Sequence, residues 1–259
     1  MSAQLVQDAL GLFSGSLVGF SLGLVGGGGS ILAVPLMIYL VGVPSAHVAI
    51  GTSALAVAVN AAANVVSHAR MGNVKWRCAG VFAAAGIMGA FGGSSVSKLV
   101  DGPKLIVLFA VLMLVVAGVM FVRRSGVGDA DVQLSRQNLP KLLLAGFLTG
   151  AFSGFFGIGG GFLIVPGLML ATGMPIINAV GSSLVAVASF GATAAANYAV
   201  SGFVDWRLAI TFIAGGVVGG IIGGRIARTL GAKRGALNTI FAGVILVVAI
   251  YMLARSIHR

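Results

Sequence analysis

The chain of 259 residues contains no glutamate, and its carboxylate side chains are only those of Asp8, Asp101, Asp129, Asp131 and Asp205. None lies deep in an apolar stretch, which argues against a carboxylate proton relay and against a cation site built from membrane carboxylates. The same scarcity removes paired acid–base chemistry, and no metal-ligand spacing such as His-Glu-x-x-His is present. Cys78 is the single cysteine, so neither an intrachain disulfide nor a cysteine-based metal cluster can form, and no Cys and His pair shares one segment. An enzyme is therefore not expected, nor is a bound cofactor or metal. Charge of either sign is scarce at 8% of residues, far below the level of a soluble domain.

What the chain has instead is apolar length. Hydrophobic residues make up 58% of it and the mean hydropathy is +1.09. Apolar stretches cover residues 9–43, 47–66, 78–96, 105–122, 142–172, 176–200, 208–226 and 236–253. Most can cross a hydrocarbon core of about 30 Å, which predicts an all-α integral membrane protein. The 41 glycines are spread along these spans, where small residues let helices approach closely. The 16 Lys and Arg residues lie between apolar stretches and near the C-terminus, so they read as a topology signal and not as a nucleic-acid surface. No Lys or Arg precedes the first apolar stretch and Asp8 stands at its edge, a poor match to a cleavable leader, so this segment is expected to stay in the mature protein.

Two homologous halves are legible. Residues 1–122 form an N-terminal transmembrane repeat, 123–141 a polar connector and 142–259 a C-terminal transmembrane repeat. The run Gly26-Gly27-Gly28-Gly29-Ser30-Ile31-Leu32-Ala33-Val34-Pro35 answers Gly157-Ile158-Gly159-Gly160-Gly161-Phe162-Leu163-Ile164-Val165-Pro166. Further on, Gly42-Val43-Pro44 answers Gly173-Met174-Pro175, and Gly51-Thr52-Ser53 answers Gly181-Ser182-Ser183. Gly72-Asn73-Val74-Lys75-Trp76-Arg77 answers Gly202-Phe203-Val204-Asp205-Trp206-Arg207. Ordered matches at an offset of about 130 residues point to duplication, a common plan among secondary transporters.

The first stretch of each half is too long for one span, since some 35 residues reach about 52 Å as a helix, and too short for two. The economical reading is one short helix, a glycine break, then a second short helix, with Pro35 and Pro166 just inside the second pieces. If each broken element enters and leaves on one side, three further spans invert the second half. Loop charges then divide eleven to five, with Arg70, Lys75, Arg77, Arg123, Arg124, Arg136, Lys141, Arg225, Arg228, Lys233 and Arg234 together on the cytoplasmic side. If each broken element crosses, the halves are parallel and the division is ten to six. The reading leans to inverted repeats, each a glycine-broken first element plus three transmembrane helices.

Helices that start at a glycine break present free N–H groups and a partial positive charge, which suits a small anion; two of them could face one site near the midplane. This makes Gly26, Gly27, Gly28, Gly29, Ser30, Gly157, Gly159, Gly160 and Gly161 candidate substrate-binding residues. Close packing without a ligand is the plain alternative. A nucleotide-binding loop is disfavoured because neither break leads into Gly-Lys-Ser/Thr. Among polar residues inside spans, Thr52, Ser53, Asn60, Asn64, Ser182, Ser183 and Asn197 are candidate donors to an anion, and Thr193 lies with them. Asn60 and Asn64 are four apart and share a helix face. Interhelical hydrogen bonding is their structural alternative. Trp76 and Trp206 read as interfacial anchors, His47 and His68 as residues near interfaces, and Arg225 as a topology anchor able to reach a vestibule by snorkelling.

The duplicated glycine break followed by Pro, the Gly-Thr-Ser or Gly-Ser-Ser that follows, and the Gly-x-Val-x-Trp-Arg turn resemble the TauE/SafE sulfite exporter family, also described as toluene-sulfonate uptake permeases. The resemblance covers nearly the whole chain. It implies a transporter of sulfite, sulfonates or related sulfur-containing oxyanions in a bacterial cytoplasmic (inner) membrane, and it leaves direction open; a secondary transporter working by alternating access between the two repeats is the first reading. A passive anion channel and a membrane scaffold without a transported solute are the alternatives. The implied partners are a small anionic substrate and the lipid bilayer, with no nucleic acid; coupling ion and homo-oligomeric state stay open. The charge division predicts both termini outside the cytoplasm. Reporter fusions at His258 and within 123–141 are expected to place the connector inside and the C-terminus outside, and a common side for the two overturns the inverted arrangement.

Overall fold

The computed structural model describes residues 3–122, 134–157, 161–229 and 234–257, and among these every regular element is helical. The first helix, α1 (Ala3–Val25), runs into a 3-10 segment (Gly26–Leu32), a single turn α2 (Ala33–Pro35) and a π turn (Leu36–Leu40); together these make a return segment, 26–40. Then follow α3 (Ala46–Arg70), α4 (Trp76–Ser97) and α5 (Gly102–Val122). The second part comprises α6 (Leu139–Phe156), α7 (Gly161–Thr172), α8 (Ile176–Val200), α9 (Trp206–Thr229) and α10 (Arg234–Ile257). Among the described residues, six of them, α1, α3, α4, α6, α8 and α9, are long and apolar enough to cross a membrane.

The glycine-broken elements differ from their expected form. Their first pieces are not short: α1 has 23 residues and α6 has 18, about 34 and 27 Å at 1.5 Å per residue. Only the pieces after the breaks are short. Pro35 closes the single turn α2 inside the return segment, whereas Pro166 lies inside α7, past its first turn. A proline without an N–H cannot continue a regular α ladder. Beyond Pro35 the chain widens, Val41 N–H reaching the Leu36 carbonyl at 2.9 Å and Val43 N–H the Met37 carbonyl at 3.0 Å.

Helix directions follow from backbone contacts at glycines. Gly11, Gly15, Gly19 and Gly23 of α1 step along Thr211, Phe212, Gly216 and Gly220 of α9, so these helices run parallel. Gly146, Gly150 and Gly154 of α6 step along Phe82, Gly86 and Ala90 of α4, also parallel. The approach is so close that a Cβ on Gly19 would stand 1.9 Å from the Gly216 carbonyl oxygen, and one on Gly150 would stand 2.1 Å from that of Gly86. Between these pairs lie α3 and α8. Gly51 abuts Tyr198 and Phe203, and Gly181 abuts Asn73, so α3 and α8 are antiparallel. They form the centre of the molecule, with Ala49, Ala54, Val57 and Ala61 of α3 and Ala179, Leu184, Val187 and Phe190 of α8 fully buried.

These directions give the bundle two faces. On the terminal face lie the start of α1, the loops around 41–45, 98–101 and 201–205, and the end of α10. On the connector face lie loop 71–75, the end of α5 and the start of α6, loop 173–175 and the end of α9. The return segment comes back to the terminal face, where the Tyr39 ring meets Tyr251 edge-on at 5.4 Å. Arg70, Lys75, Arg77, Lys141 and Arg225 therefore share the connector face, while Lys98, Lys104, Arg207 and Arg255 share the other.

A leucine at Gly150 or Gly219 must displace backbone, since the Cβ alone would fall 2.1 Å or 2.0 Å from a carbonyl oxygen. Each is expected to cost about 3 kcal/mol or more and to broaden size-exclusion profiles. Gly92→Ala, with nothing within 4 Å of its Cβ position, is the neutral control. Equal melting temperatures for all three variants would overturn this packing.

Candidate functional site: a polar vestibule on the connector face

A cavity of about 460 Å³ opens on the connector face between the later parts of α1, α3 and α9 and the start of α8. Residues three and four apart share a helix face, and α3 accordingly supplies Asn64, Ser67, His68 and Met71 while α9 supplies Val217, Gly220, Ile221, Gly224 and Arg225. Asn73 and Gly23 complete the polar and backbone lining. Both ion pairs among the described residues, Lys104 with Asp101 and Arg207 with Asp8, lie on the terminal face. The exposed Arg225 thus gives the vestibule a cation with no carboxylate partner among the described residues.

One turn deeper than Asn64 along α3 is Asn60, fully buried, with neither Nδ2 nor Oδ1 hydrogen-bonded. Its neighbour on α9 is Gly216, where a Cβ would fall 1.9 Å from Asn60 Nδ2. Gly220 stands in the same relation to Asn64, 3.0 Å from Nδ2. The glycines on α9 create the space that the two amides occupy. Asn64 Nδ2 donates to the Asn60 carbonyl at 2.9 Å, which fixes the upper amide and leaves the lower one uncommitted. Ser14 of α1 and Ser53 of α3 are also fully buried with unpartnered hydroxyls, as is Ser153 of α6 at 1% exposure. Buried polar atoms are nearly always paired, so Asn60 and Ser53, seven apart on α3, ask for a ligand or water.

The other candidates have different surroundings. The Thr52 hydroxyl accepts the backbone N–H of Asp205 at 2.9 Å, and the Ser182 hydroxyl accepts that of Lys75 at 2.9 Å. Each Gly-Thr-Ser or Gly-Ser-Ser motif therefore braces the Gly-x-Val-x-Trp-Arg turn of the other half. Gly51 and Gly181 give the close approach, with a Cβ 2.2 Å from the Phe203 carbonyl oxygen and 2.7 Å from that of Asn73. Ser183 donates to the Val180 carbonyl and Thr193 to that of Ser189. The Asn197 amide donates to Ser94 and Ser95 and accepts from Lys98. Trp76 and Trp206 are exposed at the starts of α4 and α9, as interfacial anchors are.

The two glycine breaks lie at different depths. Gly23, just before the first, is beside Gly220 and so level with Asn64; Gly157, at φ +65 where α6 ends, abuts Ile50. Fourteen residues of α3 separate those levels, about 21 Å, so the breaks do not face one point at mid-depth. Gly29 folds back on Ser21 and Leu22, and Ser30 is fully buried. Gly159 and Gly160 lie outside the described residues. Ser67 and Gly216 lie in none of the duplicated motifs, and Asn73 lies in the Gly-x-Val-x-Trp-Arg turn without having stood out as a lining residue. The available signal was the series Gly215-Gly216, Gly219-Gly220, Gly223-Gly224, whose spacing of four matches Asn60 and Asn64.

A chain whose described residues form only helices, six of them of membrane length, is a multi-pass integral membrane protein. It belongs to the sulfite exporter TauE/SafE family, whose model matches residues 11–252. A probable membrane transporter protein of Xylella fastidiosa strain Temecula1 is 52% identical over 244 residues, 94% of each chain. A probable membrane transporter protein of Haemophilus influenzae is 30% identical over 201 residues, covering 74% of each chain. The probable membrane transporter protein YdhB of Bacillus subtilis is 27% identical over 202 residues, 77% of this chain and 82% of its own. No solved structure matches this chain. Family and relatives are membrane transporters, not enzymes.

The braces at Thr52 and Ser182 generate a prediction. Thr52→Val and Ser182→Ala each strand a backbone N–H and are expected to lower stability by about 1–3 kcal/mol without weakening solute binding. Thermal unfolding beside calorimetric titration checks this; a variant that keeps its melting temperature but loses binding reverses the assignment.

Proposed function

We propose that this protein is a secondary transporter of small sulfur-containing oxyanions, of the sulfite or sulfonate kind, that receives its solute in the vestibule and binds it at Asn60. The observation that carries the reading is the Asn60 amide, fully buried and unpartnered one turn beneath a cavity whose rim holds Arg225. An uncompensated guanidinium at the mouth attracts anions, and a preplaced amide N–H donates to an oxygen that water has left. A cation would find no carboxylate in this lining and would leave water at a cost of several kcal/mol. The chemistry on offer is that of an oxyanion site.

In this reading the two halves are inverted repeats, the connector face is cytoplasmic and the membrane is the bacterial inner one. The antiparallel course of α3 and α8 and the gathering of basic residues on the connector face support that orientation. Alternating access then means closing the vestibule and opening a path to the terminal face.

The test is calorimetric binding of sulfite, thiosulfate, sulfoacetate, taurine and sulfate to purified protein. Asn60→Ala is expected to weaken the best anion by about 1.5–3 kcal/mol, roughly ten- to a hundredfold. Because the substitution removes a buried unpaired amide, the melting temperature of the ligand-free protein should hold or rise. A variant that melts lower and binds as tightly as the parent makes Asn60 a packing residue and sinks the site.

A further inference from the structure

Counting about 130 residues along from the vestibule, the offset of the duplicated motifs, leads to the place where its counterpart would open on the terminal face. Ser67 is answered by Asn197, His68 by Tyr198 and Arg225 by Ser95. There the side chains are bonded to one another across the helices. Tyr198 is fully buried and its hydroxyl donates to Ser97 at 2.8 Å. Asn197 Nδ2 donates to the hydroxyls of Ser94 at 2.7 Å and Ser95 at 2.9 Å, tying α8 to α4. Lys98, at the C-terminus of α4, closes the group from outside. Its Nζ donates to Asn197 Oδ1 at 2.8 Å, to the Asn197 carbonyl at 3.2 Å and to the Ser201 hydroxyl at 2.9 Å.

We propose that this Lys98–Asn197 network is the shut second mouth of the transport path, with Lys98 its gate and its oxyanion-receiving group. The inference rests on the transport reading above and adds where the path leaves the protein. All three ammonium donors are spent on neutral oxygens at the end of α8, and among the described residues no carboxylate compensates the charge. Such an ammonium is held firmly enough to close a seam yet binds an oxyanion better than the neutral acceptors it now has. Departure of Lys98 together with the end of α4 from α8 frees the Asn197 amide from Ser94 and Ser95 at the same moment. The opened mouth would thus present one cation and one amide, the same pair of groups that Arg225 and Asn64 present at the other.

Accessibility tests this without any solute, so its failure is separable from a failure of anion binding at Asn60. In a Cys78→Ser background, Ala194→Cys reports from one turn deeper than Asn197 and Ala63→Cys from the vestibule; Ala194 is 1% exposed and Ala63 lines the open cavity. A membrane-impermeant maleimide is expected to label Ala63→Cys from the connector face and to leave Ala194→Cys unlabelled. Adding Lys98→Ala should speed labelling of Ala194→Cys from the terminal face at least tenfold, and Lys98→Arg should not. Asn197→Ala, which removes the amide that bonds Lys98 and α4, provides a second opening should Lys98→Ala fail to insert. Unchanged labelling in both opening variants, or faster labelling from both faces alike, overturns the gate.

Discussion

In a bilayer, helices gain little by exchanging lipid contacts for each other's apolar side chains, so association depends on how near their backbones can come. That limit shapes this protein. Along α1–α9 and along α6–α4, glycines remove every side chain that would hold the carbonyl oxygens of one helix away from the Cα atoms of the next. The two welded pairs clamp α3 and α8, whose Ala, Gly and Ser faces can then be buried without bulky residues to fill gaps. Each pair joins one helix from each half, so neither half has its close-packed partner within itself. Residues 1–122 and 142–259 are units of sequence, yet each is packed through the other.

This interlocking explains what could be read in the sequence and what could not. Hydropathy fixes the membrane class because spans must satisfy their own backbone, and the glycine breaks are visible because a 35-residue apolar run fits no whole number of spans. Where a duplicated residue finds its partner is another matter. Thr52 meets Asp205 across 153 positions and Ser182 meets Lys75 across 107, so repetition alone could not tell a ligand-binding hydroxyl from a brace. Asn60 and Asn64 were legible through their spacing of four. Their setting was not, because the room around them is made by Gly216 and Gly220 on a helix from the other half.

The halves have also diverged where the site lies. Phe190 stands where Asn60 would be in the second half, stacked on Phe82 with ring centroids 6.2 Å apart, and a Cβ on Gly86 would collide with it at 1.9 Å. Ala194 replaces Asn64. One half therefore offers an uncommitted amide while the other is filled with aromatic carbon, and a single polar route off the bundle axis results. The unsatisfied Asn60 amide raises the free energy of the empty protein at a point where a ligand can recover it.

The spacing that admits the two amides has a mechanical side. Asn60 and Asn64 on α3 run parallel to Gly216, Gly220 and Gly224 on α9, all at intervals of four. Moved by one turn, about 6 Å of travel, Asn60 would meet Gly220 and Asn64 would meet Gly224, a glycine again opposite each amide. Most helix contacts are keyed by knobs of unequal size and resist such a step. Here α9 presents α3 with glycines at even spacing, so such a step would set neither amide against a side chain at those positions.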